Sequence, residues 1–423
     1  MRWRIAFLLS AAIAISYLDR LTLPVAVKAI ARDIPISNEQ FSTLQSAFLF
    51  AYALTYAAGG KLVDLLGTRL GLVVIMLFWS IACASHALAL GFAMLVASRL
   101  LLGMGEGGGF PAATRAVAEW FPTQERATAM GIINGGTSVG AVLAPPLIAL
   151  VLAHANWRWI FVLTGGFGFL WTACWSLSYV PTLGVSDAIA VGPIPPPSSA
   201  TDSSSRLPWS ALLRIRETRG LMTAKFLSDA AWFFYLFWLP KYLFEARGFD
   251  IKAVGTFAWM PSAAAGLGCL LGGAFSSALV HRRFSLGVAR KLALGISAAV
   301  MPFVILVPRV PVSWAILLFC LAYFGQQSWS TLIMVLPTDL FPQNVVGSVA
   351  GLVGFAGAMG GIVFGQLAGY LLDHGFGYGS VFAMAGTFHI AAFLIVLASI
   401  PVVMPLQMHW KLHFGRSDFG RAS

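Results

Sequence analysis

The chain has 423 residues, of which 58% are hydrophobic and only 10% charged, with a mean hydropathy of +0.82. A soluble domain carries about 25% charged residues, so a water-facing globular protein is excluded and most of the exterior must meet lipid. The net charge of +11 would fit a nucleic-acid binder in a soluble chain, but here the basic residues gather in particular loops, as membrane orientation requires.

A helical span needs about 20 apolar residues. About twelve such runs occur, and they are continuous rather than alternating, which excludes a β-barrel. The expected fold is an all-α polytopic membrane protein. The first run, 4–28, is too long for a signal-peptide core and reads as a retained span; it carries Asp19-Arg20. Spans follow at 41–62, 70–90, 92–117, 128–153 and 159–180. The fifth contains Pro145-Pro146, which should kink or break it.

Composition then changes. Residues 182–217 include VGPIPPPSSATDSSS, a flexible-linker composition, and end in the basic run RIRETR. Six further spans follow at 221–244, 254–280, 291–307, 313–337, 347–372 and 380–404, then a basic tail. The expected organisation is an N-terminal six-helix half at 1–181, a linker at 182–217, a C-terminal six-helix half at 218–404 and a tail at 405–423. Arginines and lysines fall in alternate loops, which places both termini and the linker in the cytoplasm. Two parallel six-span halves suit a transporter with a midplane site in a central cavity.

The fourth span holds RLLLGMGEGGGFP, residues 99–111. Ionised groups at bilayer depth cost roughly 2.5–3.5 kcal/mol each on the insertion scale. Arg99 and Glu106 are two helical turns apart and so share one helix face. A buried guanidinium pairs bidentately with a carboxylate substrate. Without substrate it needs another anion, and spacing makes Glu106 the nearest candidate. A protonated Glu106 would then release Arg99. The glycines around them allow close helix approach. Arg99 could instead snorkel outward, and Asp19-Arg20 could be an internal ion pair.

Other polar groups at mid-span depth, Tyr52, Asn134, Gln326, Gln327 and Gln366, could meet a hydroxylated substrate or satisfy a neighbouring helix. Trp232, Tyr235, Trp238 and Trp329 could stack on a sugar ring, with Trp238 also readable as an interface anchor. Asp229 could be a third proton site, but Lys225 four residues earlier makes a structural pair. His86 and His389 read as packed or interfacial. The four cysteines, in separate apolar runs, read as small buried hydrophobes rather than a disulfide set or metal site. No metal cluster, phosphate loop or nucleophile motif occurs, so neither an enzyme nor a cofactor is expected.

Gly60, Asp64, Gly67 and Arg69 lie in GKLVDLLGTR, which resembles the major-facilitator signature G-x-L-x-D-x-x-G-x-R. It implies a cytoplasmic gate: a tight turn at Gly67 lets Asp64 meet a cation or helix N-terminus. In the second half, GGAFSSALVHRR puts Ser277 where the aspartate would stand, implying a weaker or missing lock.

Arg99, Glu106, Gly107, Pro111, Trp120, Pro122, Glu125 and Arg126 together resemble the anion:cation symporter family. YLDR (17–20), SDAAWFFYLFWLPKYL (228–243), LPTDLFP (336–342) and GSVAGLVGFAGAMGG (347–361) resemble its bacterial hexuronate branch. The resemblance implies the major facilitator fold, twelve helices in two halves, and proton-driven symport of an organic acid such as glucuronate or galacturonate. It implies Asp19 and Glu106 as proton sites and Arg20 and Arg99 as charge-handling residues. Thr137 and Ala358 depart from the glutamine and asparagine of the galactonate branch, so the sugar-hydroxyl contacts must differ. The implied setting is a bacterial inner membrane, with a monomer working between lipid, protons and a small anion. Exchange or facilitated passage of another carboxylate (an aldonate or aromatic acid) fits the same fold. A transporter-like sensor would need a soluble output domain, for which linker and tail are short.

Overall fold

The computed structural model describes residues 2–121, 123–178, 209–341 and 343–403; the side chains of 56–65, 118, 123–128, 209, 338 and 343–347 lie outside that description. The expected linker up to residue 208, and the tail, fall outside it too. Every regular element among the described residues is helical.

Helix α1 (Arg2–Ile30) is the first span. Helix α2 (Asn38–Ser85) contains the second and third, as two arms joined at Gly67, whose φ of +74° is the left-handed conformation that glycine tolerates. The fourth span is broken. Helix α3 (Phe92–Glu106) ends at Glu106, and α4 (Gly109–Trp120) restarts after Gly107-Gly108. Three consecutive glycines weaken helix propensity there enough to permit the break. Helix α5 (Thr123–His154) is continuous through Pro145-Pro146, so the prolines do not break it. Helix α6 (Arg158–Ser178) closes the first half.

In the second half, α7 (Arg216–Glu245) is the seventh span. Helices α8 (Ile251–Phe257) and α9 (Trp259–His281) form the eighth. Helix α10 (Leu286–Ala299) and the 3₁₀ segment Met301–Arg309 form the ninth. The last three are α11 (Val312–Leu340), α12 (Gln343–Asp373) and α13 (Gly377–Ser399). Among the described residues, nine helices are long and apolar enough to cross a membrane by length and composition. The fourth span falls outside that set because it is split. The seventh does so because charges such as Lys225, Asp229 and Lys241 dilute it.

The exterior is apolar and the interior holds charge. Leu177 is 86% exposed, whereas Asp19 and Arg99 are fully buried. That inversion is expected where lipid replaces water. Gly103 and Gly105 permit the α2–α3 contact: a Cβ at Gly103 would fall 2.3 Å from the Phe48 carbonyl oxygen, and one at Gly105 2.5 Å from the Trp79 Cβ.

Within the first half α1 packs on α5 and α6, and α2 on α3; within the second α9 packs on α11, and α7 on α12 and α13. The halves meet through α1 with α7, α2 with α12, and α5 with α8 and α9. Polar contacts between the halves occur at the far end of the bundle, where α1 finishes. There Asp373, closing α12, accepts the backbone N–H groups of Asn38 (3.0 Å) and Glu39 (2.8 Å) and the Asn38 side chain (2.7 Å). Lys241 of α7 donates to the Asn38 side-chain oxygen at 2.6 Å. Toward the near end, where α1 begins, Cβ positions at Gly131, Gly135, Gly351 and Gly354 would meet nothing within 4 Å. Among the described residues, these polar contacts join the halves at the far end, and the four near-end glycine positions are open.

Candidate functional site

The centre of the first half is a polar cluster on α1, α2 and α3. Glu106, the last residue of α3, accepts from Arg20 Nε at 2.6 Å and from Ser16 Oγ at 2.6 Å, both through Oε2. Ser16 and Arg20 are four apart on α1, so they share a face. Glu106 Oε1 is buried without a hydrogen-bond partner in the protein. The Arg20 guanidinium lies among the rings of Tyr17, Phe48 and Tyr52, at 4.8, 5.4 and 4.5 Å from their centroids. These aromatic faces stabilise a cation where water is scarce.

Arg99 has different company. One terminal nitrogen donates to Gln45 Oε1 at 3.3 Å and to the Arg20 carbonyl at 3.4 Å. Its Nε and other terminal nitrogen are buried without partners. Among the described residues it makes no ion pair. The expected pairing of Arg99 with Glu106 is therefore corrected: Glu106 is held by Arg20. Two turns along a helix is about 10 Å, a gap into which α1 inserts Arg20. Arg99 remains a buried cation facing only neutral acceptors, with donors left for a planar anion.

Asp19 points away from Arg20, into the packing of α1, α2 and α6. Trp79 Nε1 donates to it at 3.1 Å and Cys83 Sγ at 3.3 Å; Cys83 also lies 3.2 Å from Thr164 Oγ1. No cation pairs with Asp19 among the described residues. Cys83 is thus a donor to a carboxylate rather than a mere hydrophobe, and Cys174 and Cys269 are exposed rather than buried. His86 stacks on Phe161 at 4.7 Å, with Nδ1 at 3.0 Å from the Ala82 carbonyl.

Of the remaining candidates, Tyr52 belongs to this cluster through Arg20 and the others lie apart from it. Asn134 is exposed on α5. Gln326 is buried on α11 with both amide atoms unpartnered, Gln327 beside it is half-buried, and Trp232 meets the Tyr323 ring edge-on at 5.3 Å. Gln366 donates across the halves to Ser46 Oγ at 3.0 Å. Ser16, Gln45, Trp79 and Thr164 were not anticipated; only Ser16, one turn before Arg20, carried a spacing signal.

The match to the Major Facilitator Superfamily covers residues 9–365. The chain belongs to that superfamily. It is a multi-pass membrane transporter, and its relatives are named as transporters. The chain is 30% identical to the hexuronate transporter of Escherichia coli (strain K12) over 407 residues, covering 94% of this chain and 93% of that one. It is 31% identical to the galacturonate transporter of Dickeya chrysanthemi over 308 residues, 71% of this chain and 89% of the other. The solved D-xylose-proton symporter has a TM-score of 0.74 at 14% identity, over 94% of this chain and 98% of that chain. The major facilitator fold, two halves around a central site, is thereby established.

In this facilitator the gate signature is partly visible. Gly67 makes the turn, and Arg69 donates to the Ser176 carbonyl of α6 at 3.0 Å. Gly60 and Asp64 fall among residues whose side chains are outside the description. Beside them, Thr68 donates to Glu119 at 2.7 Å. In the second half, Arg290 pairs with Asp339 at 2.9 Å and donates to Ser276 Oγ at 2.9 Å.

Proposed function

We propose that this facilitator is a proton-coupled symporter of an organic anion, with a hexuronate such as glucuronate or galacturonate as substrate. It works by alternating access as a monomer in a bacterial inner membrane, with both termini cytoplasmic and no cofactor beyond the proton gradient. The observation that carries the reading is the division between the two arginines: Arg20 is neutralised by Glu106, while Arg99 has unspent donors beside it.

The cycle follows from that pair. Protonation of Glu106 from the far, external side removes its charge and loosens its hold on Arg20. Arg99 and Arg20 then take the substrate carboxylate, with Gln45 and Tyr52 as neighbouring polar contacts. Asn134, Trp232, Gln326 and Gln327 are the proposed contacts for the hydroxylated remainder. After the halves rock, Glu106 loses its proton to the cytoplasm and reclaims Arg20, and the substrate leaves. The arrangement described above fits the end of this sequence, with Glu106 paired and the described near-end glycine positions open. Asp19 is the second proton site: it faces only neutral donors, and a buried charge without a cation is costly. The gate residues Gly60, Asp64, Gly67 and Arg69 close the near end in the opposite state.

Uptake of labelled glucuronate and galacturonate into proteoliposomes tests the reading. An acidic exterior should drive accumulation above equilibrium without internal anion, and a protonophore should abolish it. Uptake that depends strictly on internal anion would replace symport with exchange.

A further inference from the structure

The second half contains a buried ion pair that the cycle above does not use. On α7, Lys225 Nζ lies 2.9 Å from Asp229 Oδ1 and 3.0 Å from Ser330 Oγ of α11. Lys225 is 6% exposed and Asp229 7%. Helix α12 makes room for them with Gly357, where a Cβ would fall 2.2 Å from Asp229 Oδ2.

Helix stability does not explain the pair. Lysine four residues before an aspartate is the poorer order, because the macrodipole favours the acid nearer the N-terminus. Fold stability is a weak reason too, since apolar side chains of similar size commonly replace a buried pair without loss. Charges kept inside a membrane bundle face its interior and mark a ligand path. Two contacts tie this pair to the site already described. Helix α7, which carries both charges, packs against α1, which carries Arg20. Gln326 on α11, one turn before Ser330 and so on the same face, has both amide atoms buried and unpartnered. One cation–carboxylate pair thus stands on each half.

We infer that Lys225 is the second-half anchor of the substrate site, and that Asp229 masks it when no ligand is bound. This rests on the organic-anion reading above and adds a specificity to it. The arginines of the first half hold one carboxylate; Lys225 takes the oxygen-rich far end of a six-carbon sugar acid. A uronate offers Lys225 a hydroxyl, whereas an aldarate, with a carboxylate at each end, offers a full ion pair. The site is therefore built to accept diacids at least as well as monoacids.

Titration calorimetry of glucuronate and glucarate into the purified full chain tests this, with thermal melting as the folding control. Lys225→Gln should weaken glucarate binding about tenfold or more, the scale of one lost charge-assisted hydrogen bond, and glucuronate by a smaller factor. Asp229→Asn keeps the side-chain shape but unmasks Lys225, so it should tighten glucarate. A purely structural pair would give losses of the same sign in both variants and for both acids, and that result overturns the assignment. If Lys225→Gln does not fold, the sign of the Asp229→Asn effect on glucarate decides alone. Wild-type protein that binds neither acid overturns the organic-anion reading and this inference together. Wild-type binding with equal losses in the variants overturns the role of Lys225 only.

Discussion

Glu106 closes α3 with its carboxylate 2.6 Å from Arg20 of α1, while Arg99, on its own helix, has only neutral acceptors. The anion thus restrains one arginine and leaves the other available. In the proposed cycle the Glu106 carboxylate competes with the substrate carboxylate for Arg20, and a proton on Glu106 decides that competition for the substrate.

Glu106→Gln separates these roles. The amide keeps the shape but cannot gain or lose a proton, so Arg20 is permanently released. Proton-driven accumulation should vanish, while exchange of labelled for unlabelled substrate across proteoliposomes persists. Accumulation at the wild-type level would show that the coupling proton rides elsewhere.

Arg99→Lys tests the free arginine. Lysine keeps the charge but loses the planar fork that matches a carboxylate. One lost charge-assisted hydrogen bond corresponds to about 1.5–3 kcal/mol, or roughly ten- to hundredfold in KM for uptake. Melting temperature should change little, because Arg99 has no ion pair to lose. An unchanged KM would assign Arg99 to packing.

Most of the architecture was readable because lipid imposes a simple rule on sequence: long apolar runs cross and charged loops do not. The two halves and the charges of the first and fourth spans follow from that rule. What escaped depended on neighbours distant in sequence. Arg99 and Glu106 are seven positions apart, but Arg20, 86 positions from Glu106, is the residue that reaches the carboxylate. Cys83 looked like a small hydrophobe because its acceptor, Asp19, lies on another helix. The interruption at Gly107-Gly108 is not legible in the sequence, nor is the continuity of α5 through two prolines. Whether a helix breaks at such residues depends on what packs against the freed backbone groups, and a one-dimensional pattern does not carry that information.

The far-end latch makes a prediction about populations. Helix α2 begins with N–H groups that need acceptors. Ser37 takes that of Gln40, and Asp373 of the opposite half takes those of Asn38 and Glu39. Asp373→Ala removes acceptors that exist only while the far end is closed. Loss of one charged acceptor should cost that state about 1.5–3 kcal/mol, a shift of roughly ten- to hundredfold toward far-end opening. Spin labels at Ala155→Cys and Phe376→Cys, on far-end segments of the two halves, should show a longer distance population by electron–electron resonance. An unchanged distribution would mean that apolar packing of α2 on α12 alone closes that end.

Asp33, in the loop after α1, makes the pH-dependent prediction. Trp157 Nε1 donates to its Oδ2 at 2.9 Å and Arg158 at 2.7 Å, bracing the start of α6. Those donors, the Trp157 hydrogen bond first and Arg158 second, hold its carboxyl below the usual carboxylate range. A lowered folded value means that the folded state binds its proton less readily than the unfolded one. The brace is then at full strength above the ordinary aspartate value of about 3.9 and fades as pH falls through the lower folded value. Asp33 is exposed, so salt screens the charged part of the effect. Asp33→Asn should therefore melt below wild type at pH 7 and by nearly the same margin at pH 5. The two melting temperatures should converge only in more acidic buffer. A gap that closes between pH 7 and 5 would place the titrating group elsewhere in this loop cluster.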